Sequence, residues 1–193
     1  MKMGSGTWTA LAAVTGLALT LPNAASASDL GYTYAELRYL DVDFDTGSGA
    51  DGVTGIGWYR MNDRLFLIGQ VISLNFDTGI DATTYAAGGG LIQPLNDKWD
   101  AVATATYRHT ELDSTIRDVS RDGYGLQLGF RGMPIPKIET RAFVNYVDVT
   151  KPDTSLQLGG DYFFSPAFCA GLTGEFLGDA DTITLGVRYA FGN

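Results

Sequence analysis

This sequence is poor in the residues that support metal and disulfide chemistry. Its 193 residues include one cysteine and one histidine, which excludes a disulfide framework, a four-thiolate zinc site and multi-histidine metal chemistry. Basic residues are few, with 13 Lys and Arg against 22 Asp and Glu, and the formal net charge of −9 argues against a nucleic-acid-binding surface. No apolar run approaches the roughly 20 residues that a membrane-spanning helix needs.

The N-terminal region has the pattern of a secretory signal peptide. Lys2 precedes an apolar stretch over 11–21, and the small residues of Ala25–Ala27 fit a cleavage site. The apolar stretch is too short to cross a bilayer as a helix. We therefore expect residues 1–27 to be a signal peptide and residues 28–193 to form one domain.

Glycine is abundant, and beyond residue 30 apolar and polar residues alternate with a period of two. Turn residues interrupt this alternation at intervals, which predicts ten strands. The strands are expected near 30–42, 51–61, 64–76, 83–93, 99–112, 122–133, 138–149, 154–164, 168–177 and 181–192. In 64–76 and 83–93 both faces are apolar or small, so the inward face stays unassigned there. Eight strands are the alternative.

The predicted connections differ between the two ends of the strands. One set is tight and comprises 62–63, 95–98, 134–137 and 165–167. The other set is more acidic and often longer, and comprises 43–50, 77–82, 113–121, 150–153 and 178–181. An even number of strands with short turns at one end and longer loops at the other is typical of bacterial outer-membrane barrels. The expected fold is an all-β, up-and-down, antiparallel transmembrane barrel.

The composition of the two strand faces indicates that the apolar face contacts lipid. After Lys2, lysine occurs only at Lys98, Lys137 and Lys151, all in connections. Apolar-face aromatics lie near the strand ends, where interfacial girdles form in membrane barrels. The expected girdles are Tyr39, Tyr107, Tyr124, Tyr146 and Phe176 at the long-loop end and Tyr59, Tyr162, Tyr189 and Phe191 at the tight-turn end. The alternative is a secreted soluble barrel with a ligand in its core.

Two segments resemble strands of known outer-membrane proteins. The segment Ile183–Phe191 resembles the C-terminal strand that the barrel-assembly machinery reads, and Tyr32–Tyr39 resembles the first strand of small barrels regulated by diffusible signal factor. The resemblance implies a surface-exposed barrel without an established chemical activity. The expected location is the cell outer membrane, and the expected partners are its lipid, lipopolysaccharide and, during insertion, the barrel-assembly machinery.

The polar strand face places charged residues of both signs inside a narrow barrel. By parity, the inward charged residues are Glu36, Arg38, Arg60, Arg108, Arg131, Glu139, Arg141, Asp161, Glu175 and Arg188. Because the two signs nearly balance, we expect these residues to pair and plug the lumen, whereas a selective channel more often carries an excess of one sign. A structural or surface-interaction role is therefore expected. A narrow porin-like channel is the alternative.

One group of acidic residues resembles the opening of a calcium loop. Asp41, Asp43 and Asp45 are spaced by two residues and Asp51 follows; alternating carboxylates of this kind can converge on a hard cation. The match is incomplete, because a glycine comes one place late and Gly52 takes the position of the closing Glu. A solvated acidic loop is the simpler interpretation, and no cofactor is expected other than a divalent cation here.

His109 is the only imidazole that could act as a general base. Glu111, Asp113 and Ser114 lie near it in sequence. Parity, however, places His109 on the lipid face with Tyr107, and no G-x-S-x-G turn is present. We expect no catalysis; the alternative is an outer-membrane lipid-modifying enzyme that uses His109.

Overall fold

The computed structural model describes residues 30–44, 48–113, 118–176 and 178–191, and these form ten β-strands. The strands are β1 (Tyr34–Phe44), β2 (Gly49–Arg60), β3 (Leu65–Phe76), β4 (Asp81–Asn96), β5 (Trp99–Asp113), β6 (Val119–Ile135), β7 (Ile138–Asp148), β8 (Pro152–Phe163), β9 (Phe168–Phe176) and β10 (Ala180–Ala190). The predicted signal peptide, residues 1–27, lies outside the described residues.

The ten strands close into one antiparallel barrel. Each strand pairs with the next along the chain, and β10 returns to pair with β1. At this last junction Tyr34 lies opposite Ala190 and Phe44 lies opposite Ala180. Closure leaves no unpaired strand edge. The predicted fold class and strand number are confirmed, and the eight-strand alternative is wrong.

The described ranges contain no helix that is long and apolar enough to cross a membrane.

The structure assigns the inward faces of the two ambiguous segments. In β3, Phe66 is almost fully buried inside the barrel, whereas Leu67 and Val71 are exposed on the outside. In β4, Ala82, Ala86 and Ile92 are buried inside. Both faces of these strands carry apolar residues because one face contacts the apolar core inside the barrel and the other lies on the apolar outer surface.

The connections at the acidic end are shorter than predicted. The strands leave only 45–48, 77–80, 114–118, 149–151 and 177–179 between them. Cross-strand hydrogen bonds join backbone groups, so pairing continues past the point where apolar alternation stops. As a result, Asp41, Asp43 and Asp51 lie within strands, and the acidic connections, although they include the longest one in the barrel, 114–118, are shorter than predicted.

Two turns depend on a left-handed backbone conformation. Between β3 and β4, Gly79 has φ of 75° and its N–H donates to the Phe76 carbonyl at 2.9 Å. This is a three-residue hairpin loop that ends in a left-handed residue, a position that favours glycine. Between β6 and β7, Lys137 has φ of 67° directly after a proline, as in a type II turn.

An apolar core lies inside the barrel at the tight-turn end. Its buried members are Leu30, Tyr32, Phe66, Ile92, Val102 and Phe143. Trp58 packs against them, and its ring stacks on Phe66 with centroids 4.2 Å apart. The sequence predicted a polar interior, which is wrong at this end, because the alternation shows which face a residue occupies but not the height at which it lies.

The outer surface is an apolar belt with aromatic residues near both ends. Leu37 and Leu185 are each 61% exposed although they lie in mid-strand. Of the predicted girdle residues, the exposed ones are Tyr39, Tyr59, Tyr107, Tyr162, Phe176, Tyr189 and Phe191. Tyr124 and Tyr146 are half-buried because their rings pack together at 5.9 Å.

Candidate functional site

Seven charged side chains meet inside the lumen above the apolar core. They come from β1, β6, β7, β8 and β10, and all lie on the inward face of their strands. We call them the charge cluster: Glu36, Arg38, Arg131, Glu139, Arg141, Asp161 and Arg188. Six are buried, and Arg141 is half-buried.

Glu139 is the most enclosed carboxylate of the charge cluster. It accepts two parallel hydrogen bonds from Arg131, from Nε at 2.7 Å and from Nη2 at 2.8 Å. Arg188 Nη1 donates a third at 2.8 Å. Charge-assisted pairs with this fork geometry are among the stronger hydrogen bonds in proteins.

The ion pairs cross the lumen rather than following the wall. Arg188 of β10 reaches Glu139 of β7 and also bonds Glu36 of β1. Arg38 of β1 donates to Glu36 at 2.7 Å and to Thr173 of β9 at 3.0 Å. Arg188 and Arg141 both donate to Asp161 of β8. Three of these contacts, Arg188–Glu139, Arg188–Asp161 and Arg38–Thr173, join strands that are not neighbours in the sheet, so the cluster extends into the lumen.

Aromatic rings lie directly below the charge cluster. The Tyr32 hydroxyl donates to Asp100 Oδ2 at 2.9 Å, and the Arg131 guanidinium lies 4.5 Å from the Tyr32 ring centroid. Arg188 lies 4.4 Å from the centroid of Tyr34. Tyr32 and Tyr34 were not predicted to lie inside the barrel. Continuing the parity of Glu36 back along the strand would have placed both rings inward.

Three residues predicted for the ion-pair network lie outside it. Arg60 lies at the partly exposed end of β2, where it donates to the Asn62 carbonyl at 3.1 Å and to Asp63 at 3.4 Å. The Arg60 side chain lies outside the lumen because β2 ends at this residue. Arg108 and Glu175 are inside the barrel but at a higher level, and neither contacts the charge cluster through a hydrogen bond.

Above the charge cluster a cavity of about 530 Å³ opens towards the acidic end of the barrel. We call it the vestibule. Its wall on β1 to β3 is mainly apolar, apart from the hydrogen-bonded pair Thr54 and Gln70, and includes Leu40, Val42, Ile56, Ile72 and Leu74. Its wall on β5 to β9 carries hydroxyl, amide and charged groups, including Thr106, Arg108, Gln127, Asn145, Gln157 and Glu175. The vestibule therefore has two chemically different sides.

A hydrogen-bonded row runs along the polar wall of the vestibule. Gln127 Nε2 donates to Asn145 Oδ1 at 2.9 Å, and Asn145 Nδ2 donates to Glu175 Oε1 at 3.0 Å. The Ser155 hydroxyl also donates to Glu175 Oε1. The row holds the Glu175 carboxylate in place through one of its two oxygens.

Carboxylates on neighbouring strands face each other around the acidic end. Asp41 lies opposite Asp51, and Asp43 lies opposite Asp181. All four side chains are exposed. Among the described residues no group of three or more His, Cys, Asp or Glu is placed to hold a metal ion. Asp45 lies outside the described residues, so the calcium site stays a prediction.

One basic side chain at the acidic end forms an ion pair. Lys151, between β7 and β8, donates to Asp179 Oδ2 at 2.9 Å. The nearby carboxylate raises the pKa of the Lys151 ammonium.

His109 lies on the outer surface beside a carboxylate that its sequence neighbourhood did not suggest. Its Nδ1 is 2.7 Å from Asp122 Oδ1 on β6, and the Tyr107 hydroxyl donates to the same oxygen at 2.6 Å. Glu111 lies 3.4 Å from His109 Nε2. Ser114 lies outside the described residues. Only the pairing register of β5 with β6 brings Asp122 to this position, and sequence spacing alone does not supply it.

Comparison with known proteins agrees with this architecture. The family model for the outer membrane protein beta-barrel domain matches residues 9–191, and no curated protein matches. An outer-membrane channel from Pseudomonas putida F1 superposes with a TM-score of 0.53 at 13% identity, over 89% of this chain and 100% of that one. The KdgM porin gives 0.46 at 13% identity, over 81% and 99%. The attachment invasion locus protein of Yersinia pestis gives 0.43 at 15% identity, over 83% and 99%. At these identities the likeness extends to the fold alone.

Proposed function

The chain belongs to the outer membrane protein β-barrel domain family and is located in the bacterial outer membrane, and from this premise we propose that it is a closed barrel with a structural or surface-interaction role. No step of this role requires catalysis. The observation that supports it is the charge cluster, whose ion pairs cross the lumen between β1, β7, β8 and β10.

The energetics of buried ion pairs favour a closed lumen. An ion or solute that passes through must separate pairs such as Arg188–Glu139, whose side chains are 2% and 0% exposed. Leaving one partner of a buried pair without the other costs about 3–5 kcal/mol. The aromatic rings of Tyr32 and Trp58 close the lumen further below.

Planar-bilayer recording tests this proposal. We expect the purified protein to give no regular single-channel openings. As a positive control, a variant with Tyr32, Glu36, Trp58, Glu139 and Arg188 all changed to Ala removes the centre of the charge cluster and the rings below it, and is expected to conduct. Large, regular openings from the unmodified protein would contradict the closed-barrel role.

A narrow channel is the second candidate, and the vestibule favours it because the lumen above the charge cluster is already open. The same recordings decide between the two, since a channel must conduct without any change to the charge cluster.

A lipid-modifying activity is the third candidate and would depend on His109 with Asp122. We propose that the pair has no catalytic role. A His109→Ala variant is expected to leave the acylation pattern of lipid A unchanged in cells.

We also propose partners for the outer rim. The facing carboxylates Asp41/Asp51 and Asp43/Asp181 would gather divalent cations beside the phosphates of lipopolysaccharide, since a concentrated negative field attracts cations.

Insertion by the barrel-assembly machinery fits a β10 strand with four outward apolar residues. Membership of the family regulated by diffusible signal factor rests on the Tyr32–Tyr39 segment. It predicts that transcript levels change when that signal is withdrawn.

A further inference from the structure

The vestibule holds an arginine whose hydrogen-bonding capacity is unused. Arg108 makes no hydrogen bond with any described residue, and its Nε is both buried and unpartnered. The four arginines of the charge cluster, by contrast, each donate to a carboxylate. A guanidinium has five N–H donors, so Arg108 presents donors to the vestibule that none of the described side chains receives.

Small residues on both sides give Arg108 this freedom. Ala86 of β4 and Gly123 of β6 lie directly opposite it. A Cβ at Gly125, the next inward position on β6, would lie 3.0 Å from Arg108 Nε. Because these positions carry almost no side chain, the Arg108 side chain lies directly against the β6 backbone, and no neighbouring side chain among the described residues supplies an acceptor there.

Glu175 supplies a complementary acceptor. It is close enough to act electrostatically on Arg108, yet no hydrogen bond joins the two. Its Oε1 is held by Asn145 and Ser155, whereas no described residue donates to Oε2. One wall of the vestibule thus offers a free donor and a free acceptor at fixed positions.

The charges around the vestibule select against an ionic ligand. Asp153 and Asp179 line its mouth and repel anions. Its inner part holds three arginines, Arg38, Arg108 and Arg141, against the two carboxylates Glu36 and Glu175, and this excess of positive charge disfavours a cation. A hydroxyl group, in contrast, can accept from Arg108 and donate to Glu175 without carrying a charge.

The opposite wall requires a ligand with an apolar face. Leu40, Ile56 and Ile72 project from β1 to β3 towards the polar row, and burying carbon surface against them is favourable. The volume of about 530 Å³ lies within the range of small-molecule sites, roughly 300–1,000 Å³. From these observations we propose that the vestibule binds a neutral mono- or disaccharide, with its hydroxyls on Arg108 and Glu175 and its carbon face on β1 to β3.

Isothermal titration calorimetry tests this site on the protein extracted from membranes. A sugar-free detergent is needed, because alkyl glycoside headgroups would compete. Glucose and lactose are the neutral probes, with glucuronate and glucosamine as the anionic and cationic analogues. We expect saturable binding of a neutral sugar that is tighter than binding of either charged analogue.

Matched variants locate the binding. Arg108→Leu and Glu175→Gln are each expected to weaken binding about tenfold or more. Arg60→Leu, which removes an arginine outside the vestibule, is expected to leave binding unchanged. Gly125→Val adds a side chain that would overlap Arg108 and displace its guanidinium, so it should abolish binding, whereas Gly55→Val, where the surrounding space is open, should not. Retention of heat-dependent mobility on SDS gels shows that each variant is folded.

Three results would overturn the assignment. They are no saturable binding of glucose or lactose, tighter binding of a charged analogue, or equal binding by Arg108→Leu. The proposal uses the closed barrel only in taking the charge cluster as the floor of the vestibule. Conductance reports on that cluster and calorimetry reports on the vestibule, so failure of one is distinguishable from failure of the other.

Discussion

Glu139 shows how much a single side chain contributes to the barrel interior. It is fully buried and receives three hydrogen bonds from Arg131 and Arg188. A buried ion pair is not in itself strong evidence of stability, because desolvation of both charges offsets their attraction. Removing one partner has a different effect, since the remaining charges stay buried without a counter-charge.

We therefore expect Glu139→Ala to lower the free energy of unfolding by about 3–5 kcal/mol. Urea unfolding in lipid vesicles, followed by tryptophan fluorescence, measures this change. The matched control is Asp63→Ala, which removes the partner of Arg60 at an exposed turn and should cost at most about 1 kcal/mol. Similar losses for the two variants would show that the charge cluster is not a buried network.

The backbone of the β3–β4 turn gives a second prediction. Gly79→Ala places a Cβ on a residue with φ of 75° and is expected to cost about 1–2 kcal/mol of unfolding free energy. Gly55→Ala is the control, because its outward position has open space and an extended backbone. The same urea titration measures both. A loss at Gly55 equal to that at Gly79 would argue against a conformational cause.

For single residues, sequence parity predicted which side chains face inward but only part of what they contact. Period-two alternation places Glu36, Arg38 and Arg188 on the inward face, where the structure has them. It does not give the height of a residue in the barrel. Arg60 is inward by parity but lies at the end of its strand, beyond the lumen, and Tyr32 lies in the apolar core.

Many acidic residues at the acidic end lie opposite each other on paired strand ends rather than in the connections. Asp41 and Asp51 are directly opposite across β1 and β2, and Asp81 and Asp113 are opposite across β4 and β5. Like charges at directly opposite positions destabilise a strand pair. The acidic end therefore gains from any cation that screens these pairs.

Asp51→Asn is consequently expected to raise the free energy of unfolding by about 0.2–1 kcal/mol in low salt with a chelator present. Added magnesium should reduce that gain, since screening weakens repulsion between exposed charges. Asp97→Asn, at the exposed β4–β5 turn, is the control and should change little. Unfolding measured with and without magnesium checks the prediction; a gain that magnesium does not reduce would argue against repulsion.

The ends of the strands were the least predictable elements. In β6 the pairing begins at Val119, although Ser120, Arg121 and Asp122, which follow it, are polar and exposed. Residue polarity marks where lipid contact ends, while backbone pairing depends on the neighbouring strand. The acidic connections were therefore predicted too long.

For the whole molecule, closure of the sheet is the property that sequence periodicity predicted best. Ten alternating segments with tight turns at one end are enough to specify an up-and-down barrel. The vestibule was not predictable, because it depends on which side chains face each other across the lumen. Arg108 and Glu175 are 67 positions apart in the printed sequence, and only the closed barrel brings them to one cavity.

Closure predicts resistance to SDS. We expect the unheated protein to migrate as a compact species and to shift on boiling, because a closed sheet has no free edge from which to unpair. Gly129→Val should lower the temperature of that shift, since a side chain at Gly129 would overlap the Ala142 carbonyl on β7. Gly55→Val is the control. A mobility that does not change on heating would contradict a closed membrane barrel.

The bond between Arg188 and Glu36 joins the last strand to the first. Every other strand junction unites neighbours along the chain, so hairpins can pair as soon as they emerge. This junction must wait until β10 has been synthesised and delivered. Its ion pair then forms on the inside, where no lipid or protease reaches it. Pairing of β10 with β1 thus both closes the sheet and forms this ion pair. A chain that ends before Arg188 lacks the ion pair and the end of the strand that pairs with β1.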